Sequence, residues 1–248
     1  MNDNLKLLCS GFHQALKKES TLEMARNHVR RVLRLTNPAY FPVGTTLTSI
    51  SRIVDTIVPS RSCGISMLMC DVCGYRQNSP LLYFGEHIEL TSTGRFHDDS
   101  EEISLLSDVL GWQLNNRQRQ SQRDCPGCIL QQKISKLSLS IHFERIPYLM
   151  IIEFSSPRYI IDWELKYDTD GLLFHFRLAG IIYSGQNHFI CRVVDDSGMV
   201  WYHDGITTGR RCTREGCLSD VAEQTAQLRI ATVNDVVRYA LYAIYIRD

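Results

Sequence analysis

Leu178-Ala179-Gly180-Ile181-Ile182-Tyr183-Ser184-Gly185-Gln186-Asn187-His188-Phe189-Ile190-Cys191-Arg192-Val193-Val194 is the stretch on which the fold of this chain turns. Apolar and β-branched residues dominate both arms, and the polar run from Ser184 to Asn187 separates them. That pattern predicts two strands, Gly180–Tyr183 and Phe189–Val194, with His188 at the head of the second. Asp195-Asp196-Ser197-Gly198 then has the composition of a hairpin turn, and Val200–Tyr202 is the expected third strand.

The β signal continues on both sides. Tyr148–Phe154, Tyr159–Ile161 and Leu172–Arg177 precede the stretch, Ser219–Leu228 reads as a short amphipathic helix, and Tyr239–Arg247 closes the chain as a tyrosine-rich strand. Further upstream, Ile65–Met69, Leu81–Phe84 and Leu137–Ile141 are expected strands among polar stretches. Before that the period is helical. Leu5, Leu8, Phe12, Ala15 and Leu16 predict a helix over 5–17, and Leu22, Ala25, Val29, Val32 and Leu33 predict one over 21–35. Ser20 takes the N-cap position with Glu23 three residues on, a capping-box pattern, and Asn37-Pro38 ends that helix. Thr46 to Ile57 is a third expected helix, with Leu47, Ile50, Ile53, Val54 and Ile57 on one face. Helices first, then a cysteine-bearing insert, then an antiparallel sheet is an α+β order. It suggests a helical lobe over 1–62, an insert over 63–146 and a β-sheet body over 147–248.

Composition narrows the function classes. With 248 residues, 44% hydrophobic and 22% charged, the chain is ordinary for one core or a core with a satellite lobe. Its formal net charge is zero, so no global field favours nucleic acid or a membrane surface as partner. Polar residues at the N-terminus, followed by Lys6, Lys17 and Lys18, are not the pattern of a signal peptide, and no apolar run has the length of a membrane span. A cytoplasmic or nuclear location is expected, and the odd count of nine cysteines does not suit a disulfide framework.

Four of those cysteines form two matched pairs, Cys70-Asp71-Val72-Cys73 and Cys125-Pro126-Gly127-Cys128. Two intervening residues let both thiolates close on one tetrahedral ion from a tight turn, with Gly74 and Pro126-Gly127 supplying the turn chemistry. Four unrelated thiols, or a redox motif, are the alternatives, but a redox pair comes singly at the head of a helix. Four thiolates leave no open position, so one structural zinc ion is expected, pinning strand ends that build no core of their own. Cys63, Cys191, Cys212 and Cys217 show no partner pattern.

These features resemble the ubiquitin-specific protease family of papain-like cysteine deubiquitinases. Pro147-Tyr148-Leu149-Met150-Ile151-Ile152-Glu153-Phe154 is similar to the family's proline-led buried strand, and residues 178–194 to the strands that present its catalytic histidine. Trp201-Tyr202-His203-Asp204 is similar to its tryptophan strand carrying the acidic partner, and Tyr239 to Tyr245 to its closing strand. A paired-CxxC insert precedes them, as in the family. The resemblance implies a helical thumb (1–62), zinc-bearing fingers (63–146) and an antiparallel palm (147–248), a ubiquitin or ubiquitin-like partner, and His188 with Asp204 as base and orienter. The family usually has glycine where Asn187 stands, and its acid falls at the position of Gly205. The connection between the strands decides the pairing: a three-residue turn or a bulge sets His188 opposite Asp204, whereas a four-residue turn sets it opposite Gly205 with Asp204 on the other face.

The family's nucleophile lies near the start of the domain, at the head of a helix. In one register Asn4-Leu5-Lys6-Leu7-Leu8-Cys9 stands for that run, with Gln14-Ala15-Leu16 behind it, making Cys9 the nucleophile and Asn4 the oxyanion-hole residue. In the other, Gly44 to Ser49 stands for it and Leu47 replaces the cysteine, which abolishes covalent catalysis and leaves too few residues for a thumb before Cys70. Spacing favours the first. Cys9 also reads as a core cysteine on the apolar helix face. Three readings follow: an active deubiquitinase, a catalytically dead ubiquitin-binding scaffold, and a zinc-stapled nucleic-acid-associated domain of a mobile-element or chromatin protein. His28, Arg30, Arg31 and Arg34, with Arg117, Arg119 and Arg123, are the basic clusters bearing on the third, and solvated surface accounts for them in a neutral chain. Asp98 to Glu102 is an acidic run expected in an exposed loop.

Overall fold

The computed structural model describes residues 3–42, 50–57, 64–81, 104–108, 118–143, 148–154, 159–169, 172–209 and 211–248. The chain divides into two compact units, Met1–Arg61 and Ser62–Asp248. The first is helical, with α1 (Asp3–Leu16), α2 (Leu22–Thr36) and α3 (Ile50–Ile57). Its small core is Val29, Leu33 and Phe41, with Leu7 and Ile53 packed against it. Gly11 lets α1 approach α2 closely, since a Cβ there would stand 2.6 Å from that of Ala25. The N-cap of α2 is Thr21 rather than Ser20: the Thr21 hydroxyl accepts from the Met24 N–H at 3.1 Å, while Ser20 turns its hydroxyl to the Thr21 carbonyl. Asn37 ends α2 and returns its N–H to Leu33 O. Leu47 and the Gly44 to Ser49 register lie outside the described residues.

The second unit holds two antiparallel sheets and a short parallel pair. Strands β1 (Gly64–Met69), β2 (Arg76–Leu81), β4 (Gln118–Asp124) and β5 (Lys136–Phe143) form one sheet in the order β2-β1-β5-β4. β2 covers the mostly polar run Arg76 to Leu81; of the strand expected at Leu81–Phe84, Leu81 ends β2 and residues 82–84 lie outside the described part. Arg119 and Arg123, expected in a polar stretch, sit on β4, which is likewise polar throughout. β2 and β4 are the outer strands of this order, where a strand needs no apolar face and a proline such as Pro80 is tolerated. Strand β3 (Ser104–Leu105) pairs in parallel with β7 (Tyr159–Ile160). Arg117, Cys63 and the acidic run 98–102 lie outside the described residues.

The larger sheet is built around two long strands, β9 (Leu172–Gly185) and β14 (Val236–Arg247), paired along most of their length. Leu172–Arg177 and Gly180–Tyr183, expected as separate strands, are two halves of β9. β8 (Glu164–Thr169) lies along its first half and β10 (His188–Val194) along its second. In the same way β14 takes β13 (Ile230–Val233) on one half and β6 (Leu149–Glu153) on the other. β11 (Met199–His203) and β12 (Thr213–Cys217) extend the sheet beyond β10. Short helices include α4 (Pro126–Leu130) and α5 (Leu218–Gln224), the latter ending before the expected Leu228. The core gathers inward residues of these strands, including Met150, Ile152, Leu165, Phe176, Ile181, Tyr183, Ile190, Val200 and Tyr245, with Val221 and Ala222 of α5. Two of its buried tyrosine hydroxyls reach backbone acceptors, Tyr183 at Leu228 O (3.1 Å) and Tyr245 at Asp162 O (2.8 Å). Among the described residues no helix is long and apolar enough to cross a membrane.

Candidate functional site

Two sites emerge within the second unit, and both follow from how hairpins end. The first lies at the tips of the β1–β2 and β4–β5 hairpins. Because β1 pairs β5 with Met69 opposite Ser138, the two tips stand at the same end of the sheet. At one tip the Gly74 N–H returns to Cys70 O, with Gly74 at φ +72°, and the Cys70 N–H returns to Tyr75 O. At the other, the Cys125 N–H bonds Ser135 O and the Lys133 N–H bonds Cys128 O. The sulfurs of Cys70, Cys73, Cys125 and Cys128 all lie within 4.8 Å of one another, with Cys70–Cys128 at 3.6 Å and Cys73–Cys125 at 3.4 Å.

Four thiolates at ~2.3 Å from a tetrahedral ion stand about 3.8 Å apart, so this cluster is close to the size a metal ion requires. Cys70, Cys125 and Cys128 are buried. The hydroxyl of Ser135, 3.4 Å from its sulfur, brings the Cys70 thiol down to about 6. Burial pushes the other two up, Cys128 to about 12. Such thiols become thiolates when a cation takes the place of their protons. Gly127 is part of the cradle, because a Cβ there would meet the Cys73 sulfur at 2.9 Å. The donors fit a metal ion.

The second site is at the ends of β10 and β11. β9 and β10 are joined by Gln186-Asn187 alone, with Gly185 opposite His188 and positive φ at both turn residues (51° and 59°). That is the two-residue hairpin geometry, and asparagine tolerates the left-handed backbone a glycine would otherwise supply. His188 thereby starts β10 at the sheet's end. Neither expected pairing is met. β10 and β11 pair as far as Val194 with Val200, and one step further the Asp195 N–H reaches Met199 O, so Asp196-Ser197-Gly198 make the turn, with Gly198 at φ +76°. At the other end, one more step of the same register sets Asp204 across from Ile190, two residues along β10 from His188. Asp204 therefore keeps to the face of His188, one diagonal step away, and no bulge is required.

The turn is held by Asp195, whose carboxylate accepts from Ser197 N, Ser197 Oγ, Met199 N and Trp201 Nε1. Those bonds, led by the Ser197 hydroxyl, bring its carboxyl down to about 2. Asp204 itself leaves the strand and opens a helical turn, its carbonyl accepting from Thr208 N at 2.8 Å. Its carboxylate is 2% exposed and receives His188 Nε2 (2.7 Å), Ile206 N (2.8 Å), Thr207 Oγ1 (2.9 Å) and Tyr202 OH (3.3 Å). Burial alone would raise its pKa, but the Ile206 N–H, the His188 ring and the Thr207 hydroxyl outweigh it and hold the carboxyl far below the usual range.

An ionised carboxylate only accepts, so Nε2 of His188 carries the hydrogen and the neutral ring keeps its lone pair on Nδ1. Nδ1 has no hydrogen-bond partner among the described residues, and the side chain is 23% exposed. The arrangement is an imidazole oriented by a buried carboxylate and free to take a proton at its other nitrogen. Cys9, half-buried, and Asn4 lie on α1 in the first unit. Sequence reasoning missed Tyr202, Thr207 and Thr208; the Asp-x-x-Thr-Thr spacing from Asp204 is the signal that could have found the threonines.

No family model matches this chain, and no curated protein matches it. Among solved structures, one chain of the SAGA DUB module, in which Ubp8 with Sgf11, Sus1 and Sgf73 is bound to monoubiquitin, is similar over 99% of this chain with a TM-score of 0.53 and 10% identity. This chain spans 58% of the length of that one. At that identity the likeness is one of fold.

Proposed function

We propose that this chain is a ubiquitin-specific-protease-like domain that recognises ubiquitin or a ubiquitin-like modifier. In this reading it cleaves the isopeptide bond at the modifier's C-terminus. The observation that carries the reading is the His188–Asp204 pair, set at one end of a sheet whose fold is similar to that of a DUB module. Cys9 is the nucleophile, His188 the general base, Asp204 the group that orients it, and Asn4 the oxyanion donor. His188 Nδ1 takes the thiol proton as the sulfur attacks the isopeptide carbonyl, and gives it to the departing lysine amine. Water then attacks the thioester, releasing a terminal carboxylate and the free thiol. The metal is zinc, held by Cys70, Cys73, Cys125 and Cys128, and its role is to hold the ends of the two hairpins.

One observation favours a second reading, a ubiquitin-binding scaffold without activity. Cys9 stands in the second turn of α1 (Asp3–Leu16) rather than at its head, where the helix N-terminus favours a nucleophilic thiolate. A ubiquitin probe with a thiol-reactive C-terminus separates the two. Labelling that disappears in Cys9→Ala and in His188→Ala supports the protease. Binding of ubiquitin without labelling supports the scaffold, and no binding refutes both. Metal analysis of the purified chain should return one zinc per chain, and a preparation that folds unchanged without metal would refute that part.

A further inference from the structure

Arg238 is a buried cation that nothing in the site so far explains. It is 8% exposed, and its buried Nε and Nη1 have no acceptor among the described residues. A native interior rarely leaves a guanidinium unpaired, because the desolvated charge is costly until an anion or hydrogen-bond acceptors complete it. Its place in the fold is specific. Tyr239 pairs Ser184, so the next step of the β14–β9 register sets Arg238 across from Gly185, and Gly185 pairs His188 on the other side. His188, Gly185 and Arg238 thus form one row across three strands with their side-chain positions on one face.

Gly185 makes room for the arginine stem: a Cβ there would meet Arg238 Cγ at 2.9 Å. The arginine's charge opposes the rise that burial and the Asp204 carboxylate impose on the Tyr202 phenol. The Tyr202 hydroxyl in turn donates to Asp204. Asp204 has its four donors already and does not pair with Arg238.

We propose that Arg238 is the carboxylate-binding group of this site, receiving the free terminal carboxylate of a peptide tail that lies beside His188. This rests on the tail-recognition reading above and names the chemical group the site holds. A planar carboxylate suits the planar edge of a guanidinium, and it is the group left on the modifier when the isopeptide bond is cut. Arg238 would hold the tail's end and takes no part in proton transfer.

The test compares monoubiquitin bearing its free C-terminal carboxylate with monoubiquitin amidated at that end, by calorimetry on the full chain and on Arg238→Met. Met removes an unpartnered charge, so folding is expected to survive it, and Arg238→Lys serves as the charge-retaining second variant. The unmodified chain should bind the acid form about tenfold more tightly, the scale of one charge-assisted hydrogen bond. Arg238→Met should bind both forms alike, and Arg238→Lys should keep part of the preference. Equal binding of the two forms by the unmodified chain, or a preference that survives in Arg238→Met, overturns the proposal. Acetate at constant ionic strength gives an independent arm. It should raise the Tm of the unmodified chain and not that of Arg238→Met, and an equal effect on both overturns the proposal. Acetate protection without ubiquitin binding would uphold the anion site and sink the ubiquitin reading, whereas ubiquitin binding without acid preference does the reverse.

Discussion

Asp204 shows at the scale of one residue how a buried charge can be maintained and used. With four donors converging on it, the carboxylate has no freedom to rotate, and the imidazole it holds has one tautomer available. Asp204→Ala should lower labelling by a thiol-reactive ubiquitin probe by roughly 10⁴-fold, the scale lost when an orienting carboxylate is removed, while ubiquitin binding persists. Unchanged labelling would count against the protease reading. Asp195 gives a cleaner test of pH. Its folded pKa is near 2, below the unfolded value of about 3.9, so it stabilises the fold fully above pH 4 and the contribution disappears as pH falls toward 2. Urea midpoints of the unmodified chain and Asp195→Asn should therefore differ at pH 6 and converge near pH 2. A constant difference across that range would refute the sign.

At the scale of elements, apolar strands were legible and polar edge strands were not. β1, β5, β6, β10, β11 and β14 announce themselves by apolar or alternating residues, because each has at least one face against a core. β4, written Gln-Arg-Gln-Ser-Gln-Arg-Asp, carries no such pattern and is a strand only because β5 lies beside it. β8 was legible and passed over: Leu165 and Tyr167 alternate inward between polar neighbours. The cysteine clusters were readable because CxxC spacing is itself a local geometry. The relation of His188 to Asp204 was not, since it depends on a register that a one-residue change in the connecting turn would reverse. The metal-bearing tips make their own prediction. Gly127→Ala should weaken metal affinity by at least about tenfold in a chelator competition, since its methyl would displace the Cys73 sulfur. An unchanged affinity would show that the tip adjusts freely.

Across the whole larger sheet, one polar network ties strands that are distant in sequence. Arg192, 5% exposed, holds Glu215 through Nε (2.7 Å) and Nη2 (3.1 Å), and its Nη1 reaches Tyr183 OH and Ile230 O. It joins β9, β10, β12 and the start of β13 beneath the site. Glu215→Gln should cost on the order of 3 kcal/mol by leaving the cation buried without its counter-charge, whereas Arg192→Met with Glu215→Leu should recover much of that. Additive losses in a double-mutant cycle, measured by denaturant unfolding, would show that the pair does not act as a unit.

The sharing of β9 and β14 by four flanking strands also governs the order in which the molecule can be assembled. Among the described residues β6 (Leu149–Glu153) pairs in the sheet with β14 (Val236–Arg247) alone, so the residues that will flank it are translated long after it. On the ribosome that half of the sheet must wait, with its apolar edge open, until the closing strand has emerged. Pairings across such sequence distance form slowly, and this interval is when a chaperone would find something to hold.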